Sequence, residues 1–367
     1  MVWRMDKNTP KYLELISWIR QQIDEKKLLP GQKLYSENEL SEMFHLSRQT
    51  VRHAIGMLEN ENILNRIQGS GTYINSSRLE NLANRNRIAV VTTYVDSYIF
   101  PRTIHGIENI LSQQGLSVQI AFPNNLVAKE RSILQDILER DEVAGIISET
   151  TKSGLPNPNL HFYQEIMKKD IPVLFINSYY QGLNAPHVSM NDKQAGKLAA
   201  NQLIGKGHKK IGGIFKLDDG QGHLRYQGYL EALEEAGLTY EDLNVIWIDT
   251  EDEKHLKNCG QRLLERLKGI TGVVTYNDEV AFSLMEILKE AGVRVPNDIS
   301  IASIDDSDLA VLGDVKLTSV QYPMENLGEK AAKNLVEMIN NPKFDGTYEF
   351  DLSVVKRESV FDLNKEE

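Results

Sequence analysis

The chain has 367 residues, enough for two or three domains, and its composition is 41% hydrophobic and 25% charged. This balance is typical of a water-soluble globular protein, and no run of about 18 apolar residues predicts a membrane span. The N-terminal residues lack the apolar core of a signal peptide. The single cysteine, Cys259, excludes an internal disulfide framework and a multi-cysteine zinc site. We therefore expect a cytoplasmic protein without a metal site.

The net charge of −11 is unfavourable for a protein that binds DNA, but the charge is unevenly distributed. Residues 1–75 contain ten Lys or Arg and nine Asp or Glu, which sum to +1. The remaining residues contain 31 Lys or Arg and 43 Asp or Glu, which gives a net charge of −12. An acidic body next to a near-neutral module limits non-specific binding to DNA, so the total charge does not exclude a DNA-binding module at the N-terminus.

The first clear pattern in the chain predicts a helix that begins at residue 36. Ser36, with Glu39 three residues later, has the spacing of a capping box. Leu40, Met43 and Phe44 then give this helix an apolar stripe. The stripe ends just before a short turn, so the helix is expected to be only about two turns long.

A second helix is predicted from Arg48 to about Asn60, with Ser47 as its cap. Its inward face consists of Val51, Ala54, Ile55 and Leu58 at helical spacing. Its first turns leave Arg48, Gln49, Thr50, Arg52 and His53 largely outside. Arg48 and Arg52 are four residues apart and share a face. Arg can pair with guanine, Gln with adenine and Thr with phosphate, so this helix suits a recognition helix.

A short hairpin follows the second helix directly. Its strand residues are Ile63, Leu64, Ile67, Tyr73 and Ile74, and its turn is Gly69-Ser70-Gly71. A turn without bulky side chains can approach a phosphate backbone or the minor groove closely. Two helices and a hairpin in this order predict a winged helix-turn-helix. The alternative is a small helical domain whose arginines are merely solvated.

Residues 11–74 resemble the GntR-type DNA-binding domain over nearly its whole length. The matching pieces are Tyr12, Leu28-x-Pro30-Gly31-x-x-Leu34, Ser36-Glu37-x-x-Leu40, Leu46-Ser47-Arg48-x-Thr50-Val51-Arg52-x-Ala54-Ile55 and Gly69-x-Gly71-Thr72-Tyr73. Tyr35 stands where the family usually has proline, and Leu46 where it often has valine, but neither lies on the expected DNA face. The resemblance implies a DNA surface formed by Lys11, Tyr12, Glu37, Ser47, Arg48, Gln49, Thr50, Arg52, Gln68 and Gly69.

The polar residues 76–87 predict a linker between domains at 1–75 and 88–367.

In the second domain, short apolar strands alternate with amphipathic helices, which predicts an α/β fold of parallel sheets covered on both faces. The predicted strands are 88–93, 117–122, 143–148, 172–176, 211–215, 244–248, 272–276 and 299–304. The predicted helices include 102–114, 128–139, 191–205, 225–236, 278–291 and 324–340. Eight strands exceed one compact unit, so we expect two lobes with a ligand cleft at the strand ends.

Polar and aromatic residues follow the predicted strands, at the ends where such a cleft would form. They are Thr93, Tyr94, Tyr98, Phe100, Glu149, Asn177, Lys216, Asp218, Asp219, Arg225, Asn277, Asp278, Asp305 and Asp306, with Ile99 between two of the aromatic residues. Planar polar groups can hold paired hydroxyls, while aromatic rings pack on the apolar face of a sugar. As a set, these residues predict a sugar site. For any single Asp or Asn, a helix N-cap is the alternative.

Residues 88–361 resemble the effector domain of the LacI/GalR family, which is similar to periplasmic sugar-binding proteins. The motifs are His187-Val188-x-x-Asn191-Asp192-x-x-Ala195-Gly196, Leu203-Ile204-x-x-Gly207-His208-x-x-Ile211, Arg225-x-x-Gly228-Tyr229-x-x-Ala232-Leu233, Tyr276-Asn277-Asp278-x-x-Ala281, Val295-Pro296-x-Asp298-Ile299-Ser300, Asp305-Asp306 and Leu317-Thr318-Ser319-Val320. The resemblance implies effector contacts from Tyr94, Tyr98, Phe100, Glu149, Asn177, Arg225, Asn277, Asp305 and Tyr322, with Lys216 beside them. The chain has neither a LacI-type headpiece nor an obvious hinge helix in the linker.

A GntR-type head on a LacI/GalR-type body resembles the arabinose-responsive repressors of Gram-positive bacteria. Tyr94, Tyr98-Ile99-Phe100-Pro101 and Phe215-Lys216-x-Asp218-Asp219 carry this resemblance, which implies L-arabinose as the effector. We expect a repressor that binds operator DNA as a homodimer and is released by this sugar. Another pentose, a hexose or a sugar phosphate is the alternative effector.

An enzyme is disfavoured because the sequence has no Walker-type glycine loop, no nucleophile elbow and no His-Glu-x-x-His motif. Asp305 and Asp306 would suggest paired catalytic carboxylates, but adjacent residues in an extended segment point apart. A secreted sugar carrier is disfavoured by the winged helix and by the missing signal peptide. We therefore expect no catalytic residue and no cofactor.

Overall fold

The computed structural model describes residues 11–25, 27–29, 31–60, 63–67, 69–74, 85–94, 98–140 and 142–365. The chain divides into two compact units, Met1–Arg85 and Asn86–Glu367. Most of the predicted linker, residues 76–84, lies outside the described residues. Among the helices that are described, none is long and apolar enough to cross a bilayer.

The first unit contains three helices followed by a two-stranded antiparallel hairpin. The elements are α1 (Lys11–Asp24), α2 (Glu37–Phe44), α3 (Arg48–Asn60), β1 (Leu64–Ile67) and β2 (Gly71–Ile74). The order of α2, α3 and the hairpin is the order predicted from the sequence. The unit is a winged helix-turn-helix.

Hydrogen bonds predicted from the sequence cap the second and third helices. Ser36 Oγ accepts from the Glu39 N–H at 3.3 Å, and the Glu39 carboxylate accepts from the Ser36 N–H at 2.7 Å. Ser47 Oγ accepts from the Thr50 N–H at 3.1 Å. Between the two helices, His45 has a φ of +50°, which lets the chain leave α2 and turn into α3. These contacts fix the direction in which α3 leaves the turn.

The core of the first unit lies where the three helices meet. Its most buried side chains include Leu15, Ile19, Leu40, Val51, Ala54, Ile55 and Leu58. The predicted inward face of α3 is therefore confirmed. Met43 was expected in the apolar stripe of α2, but it is 50% exposed. Because α2 is only two turns long, Leu40 and Phe44 fill the space toward the core and Met43 lies at the edge of the stripe.

The second unit is built on two six-stranded sheets, one in each of two lobes. The first-lobe sheet consists of β3 (Arg87–Val91), β4 (Ser117–Ala121), β5 (Val143–Glu149), β6 (Val173–Ile176), β7 (His187–Met190) and β13 (Tyr348–Phe350). Its strand order is β13-β7-β6-β5-β3-β4, and all its pairs are parallel. The carboxyl ends of its strands therefore meet at one edge.

The second-lobe sheet has the same size and a similar layout. It consists of β8 (Ile211–Lys216), β9 (Val245–Ile248), β10 (Gly272–Thr275), β11 (Ser300–Asp305), β12 (Thr318–Gln321) and β14 (Val354–Val355). The order is β14-β12-β11-β10-β8-β9, and only the β12–β14 pair is antiparallel. The chain passes between the lobes after β7, after β12 and after β13, which is the connectivity of a two-lobed ligand-binding fold.

Helices cover both sheets. They are α4 (Phe100–Gln113), α5 (Val127–Arg140), α6 (Leu160–Lys168), α7 (Asp192–Ile204), α8 (Gly220–Glu235), α9 (Thr250–Lys254), α10 (Gly260–Arg266), α11 (Asp278–Glu290) and α12 (Met324–Asn340). In the first lobe α4 packs along α12, and in the second lobe α7 packs along α8. The sequence-based prediction of an α/β fold with parallel sheets is thus confirmed.

The contact between α7 and α8 is unusually close because glycines stand at the crossing. A Cβ on Gly196 would lie 1.9 Å from the carbonyl oxygen of Arg225, and one on Gly228 would lie 1.8 Å from that of Lys193. Larger residues would push the helices apart. The close approach brings the first residue of α7, Asp192, beside the side chain of Arg225 on α8.

Several elements differ from the predicted ones. The strands β7, β12, β13 and β14 and the helices α6, α9 and α10 were not predicted. The strand β12 is short and contains Thr318 and Ser319, whose hydroxyls are buried and hydrogen-bonded. Because these residues are polar, the segment lacks the apolar run from which the other strands were predicted. The helix predicted at 225–236 begins five residues earlier. Its first turn carries Gly222, where a Cβ would lie 2.0 Å from the Lys216 carbonyl, so glycine there reflects packing rather than a loop.

Candidate nucleic-acid interface and effector cavity

The first half of α3 presents the polar face that was predicted to meet DNA. Arg48, Gln49, Arg52 and His53 are exposed, and Thr50 is half-buried. Arg48 and Arg52 lie one turn apart on the same face. The face therefore offers two guanidinium groups and an amide at the helix N-terminal half, where a recognition helix presents side chains to base edges.

Glu37, the first residue of α2, contacts both the recognition helix and the wing. Its carboxylate accepts from Arg52 Nη2 at 2.9 Å and from Arg66 Nη2 at 2.6 Å. The hydrogen bond from Arg52 lowers the pKa of the Glu37 carboxyl, although its partial burial opposes this. Because Glu37 can only accept, it orients Arg52 rather than offering a donor to phosphate.

The other predicted DNA-contact residues surround α3. Tyr12 packs the edge of its ring against His53, with 4.9 Å between the centroids, and Lys11 is exposed at the start of α1. Ser47 Oγ and Thr50 Oγ1 are 2.8 Å apart, so each hydroxyl is partly engaged by the helix cap. Tyr12 therefore supports α3 from the side, and Lys11 remains available to a phosphate.

The tip of the wing is a glycine turn. Gly69 has a φ of +79°, and nothing lies within 4 Å of the position of its Cβ. Gly71 has a φ of +136°, and a Cβ there would lie 2.6 Å from Lys33 Cε. Both conformations favour glycine, which keeps the tip narrow. Gln68, the other predicted contact in the wing, lies outside the described residues.

A cavity of about 610 Å³, its open mouth included, lies where the carboxyl ends of both sheets face each other. Nine of the ten predicted effector residues line it: Tyr94, Tyr98, Phe100, Glu149, Asn177, Lys216, Arg225, Asn277 and Asp305. The tenth, Tyr322, is buried behind Asn177 and donates a hydrogen bond from its hydroxyl to the amide oxygen of that residue. Residues more than 200 positions apart thus form one site.

Arg225 lies at the centre of the second-lobe half of the cavity and is 2% exposed. Its Nε donates to Asp192 at 2.8 Å, Nη1 to the Tyr276 carbonyl at 2.6 Å and Nη2 to Asp305 at 3.3 Å. Burial opposes the charge of Arg225, but the two carboxylates raise its pKa well above the ordinary value. Nη2 also donates to Met190 Sδ at 3.5 Å, so protein acceptors engage four of its five N–H groups, and the sequence alone gave no sign of this.

In the first lobe, Glu149 and Asn177 form a second polar pair at the ends of β5 and β6. Glu149 accepts from the Thr93 N–H at 2.7 Å through one oxygen and from Asn177 Nδ2 at 2.8 Å through the other. Burial nevertheless raises the pKa of the Glu149 carboxyl. The Tyr322 hydroxyl, Asn177 and Glu149 form a chain of hydrogen bonds, which fixes the amide orientation that a ligand would meet.

Tyr98 bridges the two lobes. It belongs to the first lobe, but its hydroxyl donates to Asp305 Oδ2 at 2.5 Å and accepts from the Asp278 N–H at 3.3 Å, both in the second lobe. Tyr98 has a φ of +59° and Asp305 a φ of +108°, which are rare for residues with side chains. The structure therefore places Tyr98 as a cavity wall that also contacts the opposite lobe.

Lys216 and Asn277 lie together on the second-lobe side of the cavity, and both contact Glu253. Lys216 Nζ is 2.7 Å from a Glu253 oxygen, and Asn277 Nδ2 donates to the other oxygen at 3.1 Å. Although burial opposes its charge, nearby carboxylates raise the pKa of Lys216. Asn277 Oδ1 also caps α11 by accepting from the Val280 N–H at 3.0 Å. Asn277 thus has the N-cap role and the cavity role at once.

Aromatic rings form the apolar part of the wall. Tyr94 and Phe100 meet edge to face with 5.7 Å between centroids, and Tyr276 lies under the Arg225 guanidinium at 4.8 Å. The Tyr276 hydroxyl donates to Asp219 at 2.8 Å. A ligand in this cavity would meet ring surfaces as well as polar groups, as a sugar requires.

Sequence reasoning missed several residues that line the cavity. They are Asn125, Thr150, Ser178, Gln221, Glu253, Tyr276 and Glu279, whereas Thr93, Ile99 and Asp219 belong to the predicted strand-end set. Tyr276 and Glu279 flank the Asn277-Asp278 pair, so the motif that predicted Asn277 could also have indicated these two residues. Glu253 belongs to the short helix α9, which was not predicted from the spacing of apolar residues. Asn125 lies in the loop after β4, beyond the residues that directly follow the strand. In the described parts of the chain, no group of His, Cys, Asp or Glu is arranged to hold a metal ion.

Acidic groups near the cavity bind protons more readily than usual. Burial, with the nearby charge of Asp305, raises the pKa of Asp278 to about 7. Burial, with Glu253 and Asp305, raises the pKa of Glu279 to about 7. Burial raises the pKa of Asp192 to about 6 in spite of Arg225. The acidic cluster is therefore partly protonated near neutral pH.

Both units match known protein families. Residues 11–74 match the gntR family of bacterial regulatory proteins, and residues 200–360 match the periplasmic binding protein-like domain. The arabinose metabolism transcriptional repressor of Halalkalibacterium halodurans is 37% identical over 350 residues, which cover 92% of this chain and 93% of that protein. That of Geobacillus stearothermophilus is 37% identical over 344 residues, 93% and 94% of the two chains.

The chain belongs to this family of transcriptional repressors. Among solved structures, the transcription regulator CcpA of Lactococcus lactis is similar with a TM-score of 0.67 and 25% identity, over 75% of this chain and 99% of that one. A LacI family regulator from Enterococcus faecium with bound ribose has a TM-score of 0.64 and 25% identity, over 76% and 99%. These relatives are regulators and not enzymes, in agreement with the sequence-based expectation.

The raised pKa of Glu279 predicts a pH dependence of this repressor's stability. The folded protein holds the proton more tightly than the unfolded chain does, whose carboxyl has a pKa near 4.5. The stabilisation is thus complete below pH 4.5 and is lost as the pH rises through about 7. In Glu279→Gln, the loss of unfolding free energy between pH 5 and pH 8 should be smaller by about 1–3 kcal/mol.

The measurement is denaturant unfolding at both pH values. Glu290→Gln is the matched control, because this residue lies at the exposed end of the same helix and should leave the pH dependence unchanged. A Glu279→Gln protein with the pH dependence of the parent would contradict the assignment.

Proposed function

We propose that this repressor binds operator DNA through α3 and the wing, and that L-arabinose in the cavity between the lobes releases it. The observation that carries the proposal is the cavity itself, where polar groups from the strand ends of both lobes converge beside aromatic rings. A ligand held by both lobes stabilises the arrangement in which they are close. Such a ligand can shift the equilibrium between DNA-competent and DNA-incompetent states.

The charges of the cavity favour an uncharged sugar over a sugar phosphate. Five carboxylates line it, from Glu149, Asp219, Glu253, Glu279 and Asp305. The two cationic residues of the lining, at positions 216 and 225, are already ion-paired with carboxylates. A phosphate would face Glu149 and Glu279, the two lining carboxylates that are not ion-paired with these cations, in a region of low dielectric, which is unfavourable. Carboxylates are, however, good acceptors for the hydroxyls of a neutral sugar.

Arabinose is the neutral sugar that the relatives suggest. The two curated relatives at 37% identity are named for arabinose metabolism, and they align along almost the whole chain. The similar regulator from Enterococcus faecium holds ribose, another pentose, in a domain of the same fold.

Base recognition is proposed for Arg48 and Arg52, with Gln49 beside them. In Arg52→Ala, binding to a specific operator should weaken by about 1–3 kcal/mol, with discrimination relaxed at one base pair, because a bidentate contact is lost. Fluorescence anisotropy with operator and random duplexes measures both effects. Arg66→Ala is the control: Arg66 shares the Glu37 contact but lies on the wing strand and not on α3, so any weakening should be equal for specific and random DNA. Equal weakening of specific and random DNA by Arg52→Ala would contradict a base-reading role.

Arg225 is proposed to donate its remaining N–H group, on Nη1, to the sugar. Alanine is an unsuitable probe, because it would leave Asp192 and Asp305 buried without their cation. Arg225→Lys keeps the charge but removes the planar fork, so L-arabinose affinity should fall by about tenfold or more while operator affinity stays unchanged. Arg357→Lys is the control, because Arg357 is paired with Asp306 outside the cavity lining. Undiminished sugar affinity in Arg225→Lys would count against this contact.

Release by the sugar requires reciprocal coupling between the two sites. If L-arabinose lowers operator affinity by some factor, operator DNA must lower L-arabinose affinity by the same factor. Calorimetric titration of the full chain with L-arabinose, with and without saturating operator, measures this factor. Equal affinities in the two titrations would show that L-arabinose is not the inducer, however tightly it binds.

We also propose that the repressor acts as a homodimer, since a palindromic operator presents two half-sites. An exposed apolar side chain supports this: Leu312, which is 68% exposed, lines a groove together with Phe282 and Met285. Sedimentation equilibrium should give about twice the chain mass of 41.6 kDa. Leu312→Glu should shift the protein toward monomers, whereas Leu243→Glu, at an equally exposed leucine outside this groove, should not. A monomeric parent protein at micromolar concentration would rule the dimer out.

A further inference from the structure

Two loops beside the cavity connect the lobes directly. The loop at 150–154 follows β5 of the first lobe, and the loop at 217–220 follows β8 of the second. The Gly154 N–H donates to the Asp218 carbonyl at 3.3 Å, and the Gly220 N–H donates to Ser153 Oγ at 3.0 Å. Both hydrogen bonds join backbone of one lobe to a group of the other, so they exist only while the lobes are close.

The carboxylate of Asp218 is the centre of this connection. It is 2% exposed, and its Oδ2 accepts from Lys152 Nζ at 3.1 Å across the lobes. The same oxygen accepts from Thr250 Oγ1 at 2.8 Å and from the Thr250 N–H at 3.3 Å, within the second lobe. Although burial acts in the opposite direction, these hydrogen bonds and the two nearby lysines lower the pKa of Asp218, so it is charged.

Lys152 is held in place by strained backbone and a second contact between the lobes. Its φ is +47°, a conformation that is costly for a residue with a side chain and that is concentrated at functional positions. Its N–H donates to Asn125 Oδ1 at 2.8 Å, and Asn125 Nδ2 donates to Thr250 Oγ1 at 2.6 Å. Asn125, Lys152, Asp218 and Thr250 therefore form a closed ring of contacts, which we call the interlobe clasp.

The ion pair of the clasp lies outside the cavity lining. Asn125 lines the cavity, but Lys152 and Asp218 do not, so neither of these two is placed to meet a bound sugar. Separating the lobes would move Lys152 away from Asp218 and hydrate both charges. An interaction made in only one of two arrangements shifts the equilibrium between them. Because Asp218 is almost fully buried, this ion pair is screened less than one at the surface.

We propose that Lys152 and Asp218 are positioning residues, which raise effector affinity by favouring lobe closure without contacting the effector. This inference rests on the proposed function, in which closure and effector binding are coupled. The clasp then sets how much of the closed arrangement is present before sugar binds. Effector affinity falls in proportion when that fraction falls.

Two measurements on the full chain test the proposal. Hydrogen exchange at the amides of Gly154 and Gly220, in protein without sugar, reports separation of the lobes directly, because both amides donate across them. Calorimetry with L-arabinose reports effector affinity. The variant is Lys152→Met, which removes the charge and keeps the chain length, and Lys152→Arg is the conservative rescue. The matched control is Arg102→Met, which breaks the Arg102–Asp308 pair between the same lobes, where both side chains are mostly exposed.

We expect Lys152→Met to speed exchange at both amides and to weaken L-arabinose binding about tenfold, the effect of a charge-assisted hydrogen bond. Lys152→Arg should restore both values, and Arg102→Met should change affinity less than twofold. Unchanged exchange in Lys152→Met would overturn the clasp, and faster exchange with unchanged affinity would overturn its role in effector binding. If the parent protein binds no L-arabinose, the proposed effector is wrong, and the exchange rates alone then decide whether the clasp exists.

Discussion

The guanidinium of Arg225 lies between the carboxylates of Asp192 and Asp305, and solvent reaches all three side chains only slightly. Taking an unpaired guanidinium out of water would cost several kcal/mol, so this arrangement depends on every partner being present. Asp192 is available only because glycines let α7 and α8 approach closely. The close packing of α7 against α8, the ion pairs of Arg225 and the position of Asp305 at the end of β11 therefore depend on one another.

This cluster also decides how the second lobe can bind a ligand. Its hydrogen bonds hold the Tyr276 carbonyl and Asp305 in fixed positions before any ligand arrives. A site whose polar groups are already oriented loses less free energy on binding than one that must be ordered by its ligand. Since Asp305 also accepts from Tyr98 of the first lobe, the carboxylate that helps to form the site is the one that joins its two halves.

Much of the fold was predictable because its signals are local. The caps at Ser36 and Ser47 and the inward face of α3 follow from spacing within a few residues, and each was observed as predicted. Strands rich in Val and Ile, such as β3 and β5, were equally clear. Strands such as β7 and β12 were missed, because their polar residues are stabilised by partners that are distant in sequence. No local pattern carries that information.

Most residues of the candidate site could be predicted from the sequence, but the hydrogen bonds that join them could not. Parallel strands bring their carboxyl ends to one edge, so the sequence could indicate which residues converge. It could not indicate that Tyr98 pairs with Asp305, 207 residues away, or that Glu37 accepts from Arg52. Nor could it indicate that protein acceptors engage most of the N–H groups of Arg225. Pairing across such distances depends on packing, which only the folded chain reveals.

The electrostatics of the cavity and the contacts between the lobes act in opposite directions. Bringing the lobes together places Glu149 of the first lobe near carboxylates of the second, and their mutual repulsion opposes closure. Burial is the main cause of the raised pKa of Glu149, and the charge of Asp219 in the second lobe adds to it. Hydrogen bonds such as that from Tyr98 to Asp305 favour closure. A neutral sugar would donate hydroxyl hydrogens to the carboxylates without adding charge, which relieves part of the cost of removing them from water. An anionic ligand would add to the repulsion, so the balance that makes the lobes responsive also selects the class of ligand that can close them.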